Sequence, residues 1–350
     1  MTQDVDEQTS PAPRQRVKVA GLPRRLWIVA VSVALAAAVI GLAVPFLIHS
    51  SYFMGLLVQG ALVSLLALGI GFLARHLGLI SLGHSAFFGG AAYGVAMAST
   101  HWHWSPLAAA FFGFAAGCLL AVVIGALVVR ASGMGFLMLT LALEQALAQI
   151  TVQQSARPIT GAYDGLQVTF DSGQGFLGLS VSDLLNPGLF WEVAWVALVV
   201  VALALWLVGR SGFGTILEGI RENEERMRFS GFGTLRPRLI AFVISGAAAS
   251  LGGTLFALNA GYVSPELFGF VNAGNALIAA ILGGLGSVGG PILGAMLFTY
   301  GQAKLNVGGN IDLYTGVALV VVLIFFRDGI TGGVLAMARR LRRRGSKERS

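Results

Sequence analysis

Ionisable side chains inside apolar stretches are the first candidates for chemistry in this sequence. Glu144 lies within residues 136–145, and it is the one acidic residue clearly inside an apolar span. A carboxyl at that depth in a membrane indicates a functional site, because burying it in lipid is costly. The alternative is a structural glutamate in the interior of a helix bundle, either protonated or hydrogen-bonded to Thr140 one turn earlier.

A second stretch, residues 78–94, combines many small residues with polar side chains at membrane depth. Polar groups there need protein partners or water. A helix that lines a solute pathway meets this need. So does a closely packed Gly90/Gly94 helix crossing in which His84 bonds to a neighbouring backbone carbonyl, and both interpretations stay open on spacing alone. With Glu144, the candidate translocation-path residues are Ser81, Gly83, His84, Phe87, Phe88, Tyr93 and Thr140.

The third candidate is the charged segment, defined as residues 211–238, which lies between two long apolar runs. Thr215 followed by Glu218 has the spacing of a capping box, and Gly231 suits a left-handed helix end. The pattern therefore predicts one exposed helix. Oppositely charged residues four apart on such a helix can pair, as in Arg221/Glu225, Glu222/Arg226 and Glu224/Arg228.

The charged segment also carries a narrow apolar stripe, formed by Phe213, Leu217, Ile220 and Met227. A helix of this kind either lies on lipid headgroups or is presented to a soluble partner. Anionic lipid would favour a mainly basic face, and four glutamates interrupt this one. The sequence therefore favours a protein partner.

The elements that must position these residues are membrane-spanning helices. Mean hydropathy is +0.79, 56% of the residues are hydrophobic and 48 are glycines. Apolar stretches of about 20 residues, the length that crosses a bilayer, recur along the chain. Lys and Arg favour the cytoplasmic side, which puts both termini and the charged segment inside and requires an even number of spans. Ten spans satisfy this better than eight, because eight would leave the apolar residues 261–310 outside. The ten are residues 26–48, 53–74, 78–99, 106–129, 134–153, 190–209, 239–260, 268–285, 289–303 and 311–327.

The predicted fold class is therefore an all-α membrane protein, a polytopic bundle of about ten transmembrane helices. The spans at 268–285 and 289–303 are short and glycine-broken, as is found where backbone lines a cavity. A basic cytoplasmic tail at 1–25, predicted to be disordered, precedes a transmembrane domain at 26–330. Residues 331–350 form a second basic cytoplasmic tail.

Several functions are excluded by missing motifs. No glycine precedes any of the lysines Lys18, Lys304 and Lys347, so the chain has no P-loop for ATP. There is no metalloprotease motif, and His101 and His103 fit an interfacial aromatic belt more simply than a metal site. The single cysteine, Cys118, rules out a disulfide framework. The basic residues lie at membrane edges, which is typical of topology rather than of nucleic-acid binding. The sequence predicts no enzyme, cofactor site or metal site.

Eight stretches match a known family in order, over roughly residues 56–333. They are residues 78–89, 136–142, 159–166, 220–224, 241–245, 261–268, 281–287 and 325–330. Together they resemble the inner-membrane permeases of branched-chain amino-acid ABC importers, the LivM-type subunits. The number of ordered matches makes this resemblance far more specific than any one of them.

The resemblance implies a transport subunit in the bacterial inner membrane, with ATP and Mg²⁺ bound by partner ATPases. Its implied partners are two ABC ATPase subunits, a second homologous permease subunit and a periplasmic or lipid-anchored substrate-binding protein. Reversing Glu222 and Glu224 to lysine is expected to uncouple ATP hydrolysis from uptake. The resemblance assigns ATPase coupling to Glu218, Gly219, Arg221, Glu222, Asn223, Glu224, Arg228 and Gly231.

The implied substrate is a branched-chain amino acid or a related small polar solute such as urea or an amide. Glu144 stands where the family pattern leads us to expect an uncharged residue. Our hypothesis is that it faces the translocation path and favours a substrate with an amine or amide. Two other functions remain as alternatives. An ion- or proton-coupled carrier acting alone needs intramembrane carboxylates, and a passive pore leaves the charged segment unexplained.

Overall fold

A computed structural model describes residues 24–171, 173, 175–305 and 329–332. Over these residues the chain is a bundle of helices with two very short strand pairs and no closed sheet. The predicted all-α membrane fold is thereby confirmed. The helices are α1 (Arg24–Leu42), α2 (Val44–Leu47), α3 (Ser51–Leu77), α4 (His84–Trp102), α5 (Pro106–Val128), α6 (Gly133–Val152), α7 (Arg157–Thr160), α8 (Val181–Leu184), α9 (Pro187–Arg210), α10 (Gly212–Glu222), α11 (Glu224–Phe229), α12 (Leu235–Ala260), α13 (Phe270–Gly283) and α14 (Gly289–Leu305).

Each predicted span up to residue 303 corresponds to a helix, while the span at 311–327 lies outside the described residues. Within the described part, five helices are long and apolar enough to cross a membrane, namely α3, α5, α6, α9 and α12. The shorter α13 and α14 turn back on each other at residues 284–288, as predicted. The predicted tails fall outside the described residues except for their innermost positions, since α1 begins at Arg24.

Two predicted boundaries are wrong for local reasons. The span at 78–99 starts its helix only at His84, because Gly78 takes a left-handed conformation (φ 67°) that ends α3. The span at 26–48 is interrupted after Leu42. Pro45 has no amide hydrogen with which to continue α1, and the chain restarts as the short helix α2.

Helices α3, α4 and α12 form the centre of the bundle, and α4 is buried along most of its length. Small residues make this close packing possible. A methyl group on Gly94 would lie 2.8 Å from the Cα of Gly113 on α5, and one on Gly253 of α12 would overlap the carbonyl oxygen of Phe88. The glycine-rich stretch predicted around Gly90 and Gly94 is therefore a helix crossing.

Helix α9 lies at the edge of the bundle and carries α1 on its outer side. Two indole N–H groups of α9 donate to backbone carbonyls of α1, Trp191 to Gly41 at 2.8 Å and Trp195 to Ala37 at 3.0 Å. The rings of Trp191 and Trp195 stack with centroids 5.1 Å apart. This attachment fixes the distance between α1 and α9.

The two ends of the bundle differ in composition. The charged end carries the charged segment together with Arg75, Arg130 and the α13–α14 turn, and the far end carries the long connection at 153–186. Strands β1 (Leu166–Gln167), β2 (Gly175–Phe176), β3 (Leu179–Ser180) and β4 (Tyr262–Val263) all lie at the far end.

At the far end, β1 and β4 pair antiparallel, so the loop after α6 is tied to the loop after α12. The Tyr262 hydroxyl donates to the carbonyl oxygen of Asp164 at 2.8 Å. Gly165 has a φ of 66°, and a methyl group there would collide with the backbone of Val263. The glycine of this loop motif is thus required by both its conformation and its close contact.

Candidate functional site

The carboxyl of Glu144 lies in the middle of α6 and is entirely buried. Neither carboxyl oxygen has a hydrogen bond of standard geometry, although the Ser85 hydroxyl is close enough to interact with it. The Thr140 hydroxyl donates to the carbonyl oxygen of Leu137 at 2.9 Å instead. The alternative of a Glu144–Thr140 bond is therefore wrong, and Ser85 is the polar side chain that lies near the carboxyl.

His84 begins α4, and its imidazole is wholly buried. Its Nε2 lies 3.0 Å from the Oγ of Ser245 on α12. The Ser245 hydroxyl donates its single hydrogen to the carbonyl oxygen of Phe242, at 2.7 Å. His84 Nε2 is therefore the donor, and Nδ1 is left as an acceptor without a partner. The predicted backbone-carbonyl partner of His84 is wrong, since a serine hydroxyl takes that place.

The phenylalanines of the second stretch pack into the core. Phe87 contacts the His84 ring and, edge-on, the ring of Phe242, with centroids 5.6 and 5.4 Å apart. Phe88 packs against Phe256 of α12, at 5.5 Å between centroids. These contacts support the packing interpretation for the two aromatic positions.

Tyr93 is also buried, and its ring packs beside the ring of Phe268, with the two centroids 5.5 Å apart. Its hydroxyl has no hydrogen-bond partner among the residues that the structure describes. Ser81, also buried, accepts a hydrogen bond from the amide of Gly83 at 3.2 Å and shapes the start of α4. All the predicted path residues therefore lie in the interior of the bundle.

The α4–α6 contact brings the start of α4 next to Thr140 and Glu144. A methyl group on Gly83 would lie 3.0 Å from the carbonyl oxygen of Thr140, so α6 packs directly on the start of α4, and the Ser85 hydroxyl lies near the Glu144 carboxyl. Among the described residues, several buried polar atoms of α4 and α6 have no hydrogen bond of standard geometry: both oxygens of Glu144, Nδ1 of His84, the Tyr93 hydroxyl and Nε2 of Gln145. Buried polar atoms without partners are rare in folded proteins. A polar solute or water passing here would satisfy them.

The charged segment is two helices rather than the single helix predicted. Helix α10 begins after Ser211, and the Thr215/Glu218 capping box predicted for its start is therefore wrong. Asn223 breaks the segment with extended backbone, and its side-chain oxygen accepts from the amide of Arg226 at 2.8 Å, which caps α11. Gly231 ends α11 with a φ of 80°, as predicted.

Glu224 connects α11 to the start of α12. Its Oε1 accepts from Arg228 at 2.6 Å and from the Thr234 hydroxyl at 2.9 Å, while Oε2 lies 2.9 Å from Nη1 of Arg238. Burial alone would raise the pKa of Glu224. The Thr234 hydrogen bond and the two guanidinium groups outweigh that effect and hold the pKa below its usual 4.5. Of the three predicted ion pairs, Glu224/Arg228 is confirmed. The Arg221/Glu225 and Glu222/Arg226 predictions are wrong, because Asn223 separates their partners into different helices.

Helix α10 is held to the bundle by contacts within the chain. Arg221 donates to the carbonyl oxygen of Arg75, and Glu218 lies 3.6 Å from Nδ1 of His76. A methyl group on Gly219 would lie 3.1 Å from the sulfur of Met227, so this glycine lets α11 fold back on α10. Most residues predicted to dock a partner therefore also shape the segment itself.

The free face of the charged segment is formed by Glu222, Glu225, Arg226 and Phe229. Phe229 is 92% exposed, although the apolar stripe residue Leu217 is fully buried. The sequence interpretation missed Phe229. Its exposure could have been predicted from its position two residues after Met227, because that spacing places it on the opposite side of the helix from the apolar stripe.

Among the described residues, no group of three or more His, Cys, Asp or Glu side chains is arranged to hold a metal ion. The arrangement instead offers a buried polar region between two membrane helices and an exposed, mixed-charge surface at one end.

Known proteins match this chain over most of its length. The family profile described as "Branched-chain amino acid transport system / permease component" covers residues 52–326. The chain is 29% identical over 301 residues to the high-affinity branched-chain amino acid transport system permease protein LivM of Escherichia coli (strain K12), which is 79% of this chain and 68% of that protein. It is 30% identical over 229 residues to the autoinducer 2 import system permease protein LsrC of Yersinia pseudotuberculosis serotype O:1b (strain IP 31758), which is 61% of this chain and 62% of that protein. No solved structure matches it. The chain therefore belongs to the permease-component family of branched-chain amino acid transport systems, and it is a membrane protein.

Proposed function

We propose that this chain is the membrane-spanning permease subunit of a binding-protein-dependent ABC importer, energised by ATPases on separate chains. The observation that carries the proposal is the charged segment. It is a two-helix projection, braced by its own ion pairs, that leaves a mixed-charge face and the side chain of Phe229 free.

The free face fits a protein partner better than lipid. A helix that lies on a bilayer buries its apolar face among the headgroups, but the apolar residues Leu217 and Ile220 of α10 are already buried against the bundle. Exposed aromatic residues ringed by charges are typical of protein interfaces, and charges of both signs set register and specificity. We assign Phe229 and Glu222 to the contact with the ATPase.

The substrate proposed is an amino acid or a related small polar solute that carries an amine or amide. Glu144 offers a buried carboxyl next to α4 that has Ser85 nearby and no hydrogen bond of standard geometry. An ammonium or amide group supplies the donors that the carboxyl lacks. Relatives include permeases for branched-chain amino acids and for autoinducer 2, so the family itself spans more than one substrate.

The remaining parts of the proposal follow from an importer of this kind. Its partners are two ABC ATPases that bind ATP and Mg²⁺, a second homologous permease subunit and a periplasmic or lipid-anchored binding protein. The location is the bacterial inner membrane. The charged end and both termini face the cytoplasm, in line with the basic residues at that end.

The test is purification through a C-terminal tag after gentle solubilisation, followed by mass spectrometry of the bound proteins. Two ABC ATPases and a second hydrophobic subunit are expected, and the complex in vesicles should take up substrate only with ATP. If the chain purified alone and moved substrate under a proton or sodium gradient, it would be a secondary carrier and the importer proposal would be wrong.

A further inference from the structure

A basic pocket lies at the charged end, between the ends of α3 and α9 and the start of α10. It has a volume of about 210 Å³ and is lined by Arg75, His76, Trp206, Arg210 and Glu218, among others. The guanidinium of Arg210 lies 5.5 Å from the centre of the Trp206 ring. Arg75 and Arg210 are close enough to repel each other, and Glu218 is the acidic residue that faces them. Two arginines against one half-exposed carboxylate make the pocket a site for an anion.

Among the residues that the structure describes, an apolar groove continues from this pocket along the side of the bundle. It lies between α1, α9 and α14, has a volume of about 400 Å³ and includes Val33, Ala37, Ala202 and Ile292 in its wall. Trp206 and Val288 line both the pocket and the groove, so the two spaces adjoin. The indole bond from Trp195 to Ala37 joins α9 to α1 at the far end of the groove.

The groove has the length of one membrane leaflet. It extends along α9 from Trp206 to Trp195, which is about 16 Å at the helical rise per residue. Half of a hydrocarbon layer of about 30 Å is about 15 Å. A charged pocket at the membrane edge followed by an apolar channel of this depth matches one headgroup and one acyl chain.

We propose that the pocket and groove together bind an anionic phospholipid. Its phosphate sits between Arg75 and Arg210, and one acyl chain lies in the groove between α1 and α9. Basic pockets between helices at a membrane edge recognise anionic headgroups in this way. A free phosphate would fill the pocket and leave the groove unused. The lipid would rest against Thr215 and Glu218 of α10. Lipid binding in the pocket would therefore affect the position of α10, the first helix of the charged segment. This inference does not depend on the transported substrate.

The first experiment is native mass spectrometry of the full-length chain, within whatever complex it purifies, after equal addition of phosphatidylglycerol and phosphatidylcholine with the same acyl chains. We expect retention of phosphatidylglycerol to exceed that of phosphatidylcholine by about tenfold or more, because two arginines favour the anionic headgroup. The double variant Arg75→Gln/Arg210→Gln should lose the preference. Arg130→Gln, an exposed arginine at the same end, should keep it.

The second experiment needs no arginine variant and so remains informative if the double variant fails to fold. Phosphatidylcholine vesicles containing a minority of brominated phosphatidylglycerol should quench the Trp206-dependent fluorescence, obtained by subtracting the Trp206→Phe signal, more strongly than vesicles containing brominated phosphatidylcholine. Ala202→Trp, which fills the groove, should reduce this quenching. Equal quenching by both lipids would show ordinary contact with bulk lipid and would overturn the proposal. Displacement of phosphatidylglycerol by inorganic phosphate would overturn it too, because it would assign the pocket to a free anion.

Discussion

The guanidinium of Arg238 is almost fully buried, and its charge is balanced by Glu224, whose Oε2 lies 2.9 Å from Arg238 Nη1. The two residues are 14 apart in sequence and join α11 to the start of α12. Arg238 also donates to the carbonyl oxygen of Ala131, just before α6. This ion pair therefore links α11 to α12, while separate contacts of Arg221 and Glu218 hold α10 to the end of α3.

We expect Glu224→Gln to destabilise the protein by about 3 kcal/mol, because it leaves the buried Arg238 charge without its counter-ion. Thermal unfolding in detergent, followed by loss of monodisperse protein, measures the effect. Glu225→Gln is the matched control, since Glu225 is exposed and belongs to the same helix. Equal melting temperatures for the two variants would contradict the role given to Glu224.

The Glu224–Arg238 ion pair also predicts that the stability of the protein depends on pH. The pKa of Glu224 in the folded protein lies below its usual 4.5, so the ionised form is favoured by folding. Its contribution is fully present above pH 4.5 and is lost as the pH falls through the folded pKa. The stability difference between wild type and Glu224→Gln should therefore shrink as the medium is acidified below pH 4.5. A difference that stays constant down to pH 3 would show that ionisation of Glu224 is not involved.

Phe229→Ala and Glu222→Lys should uncouple ATP hydrolysis from uptake while the protein stays folded. Both side chains are exposed, and neither makes a hydrogen bond or ion pair with the other described residues. Glu224 is a structural residue and is unsuitable for this test. Truncating an interface aromatic weakens binding by about 2 kcal/mol or more at a hot spot, so we expect the ATPase to dock more weakly and uptake per ATP to fall. Tyr163→Ala, an aromatic 77% exposed at the far end, is the control and should leave this ratio unchanged.

Glu144→Gln should change substrate preference without loss of folded protein. Removing the carboxylate leaves the shape of the α4–α6 contact intact but weakens pairing with an ammonium group, and we expect amine-bearing substrates to lose about tenfold or more in uptake relative to neutral amides. Glu192→Gln on α9 is the control, because Glu192 is exposed. Unchanged rate and preference in Glu144→Gln would remove Glu144 from the path.

Gly253→Ala should weaken the centre of the bundle. The added methyl group would overlap the carbonyl oxygen of Phe88, which would push α12 away from α4. Overpacking of this kind costs about 2 kcal/mol or more. Gly274→Ala is the matched control in helix α13, since a methyl group there meets nothing within 4 Å. The control should be neutral or slightly stabilising, because alanine favours helix, and destabilisation equal to that of Gly253→Ala would contradict the packing argument.

Much of the fold was predictable because lipid imposes a simple length requirement. Helices α3, α5 and α9 follow from uninterrupted apolar runs, and the α13–α14 turn follows from its glycines. Glu144 was found as a candidate for the same reason, since a lone carboxyl in an apolar run is conspicuous. These features depend on residues that are neighbours in sequence.

Contacts between residues far apart in the sequence could not be predicted from such local patterns. The Ser245 hydroxyl that bonds His84 is 161 residues away, and nothing local to either residue indicates the pairing. The helix break at Asn223 was missed for a different reason. Oppositely charged residues four apart suggested one continuous helix, but an asparagine in the middle can also cap a new helix. The contact of Glu224 with Arg238, 14 residues away, favours the broken arrangement, and the local sequence does not indicate it.

The pairing of β1 with β4 has a consequence for motion. At the far end it ties the chain after α6 to the chain after α12, and at the charged end Arg238 of α12 holds Ala131 ahead of α6. The segment from Ala131 to Gln167, which contains α6, is thus linked near both of its ends to α12 or to the strand that follows α12. We expect a tilt of α12 to pull on this segment at both links. A displacement of α11, which is bonded to α12 through Glu224, would then reach the segment that carries Glu144.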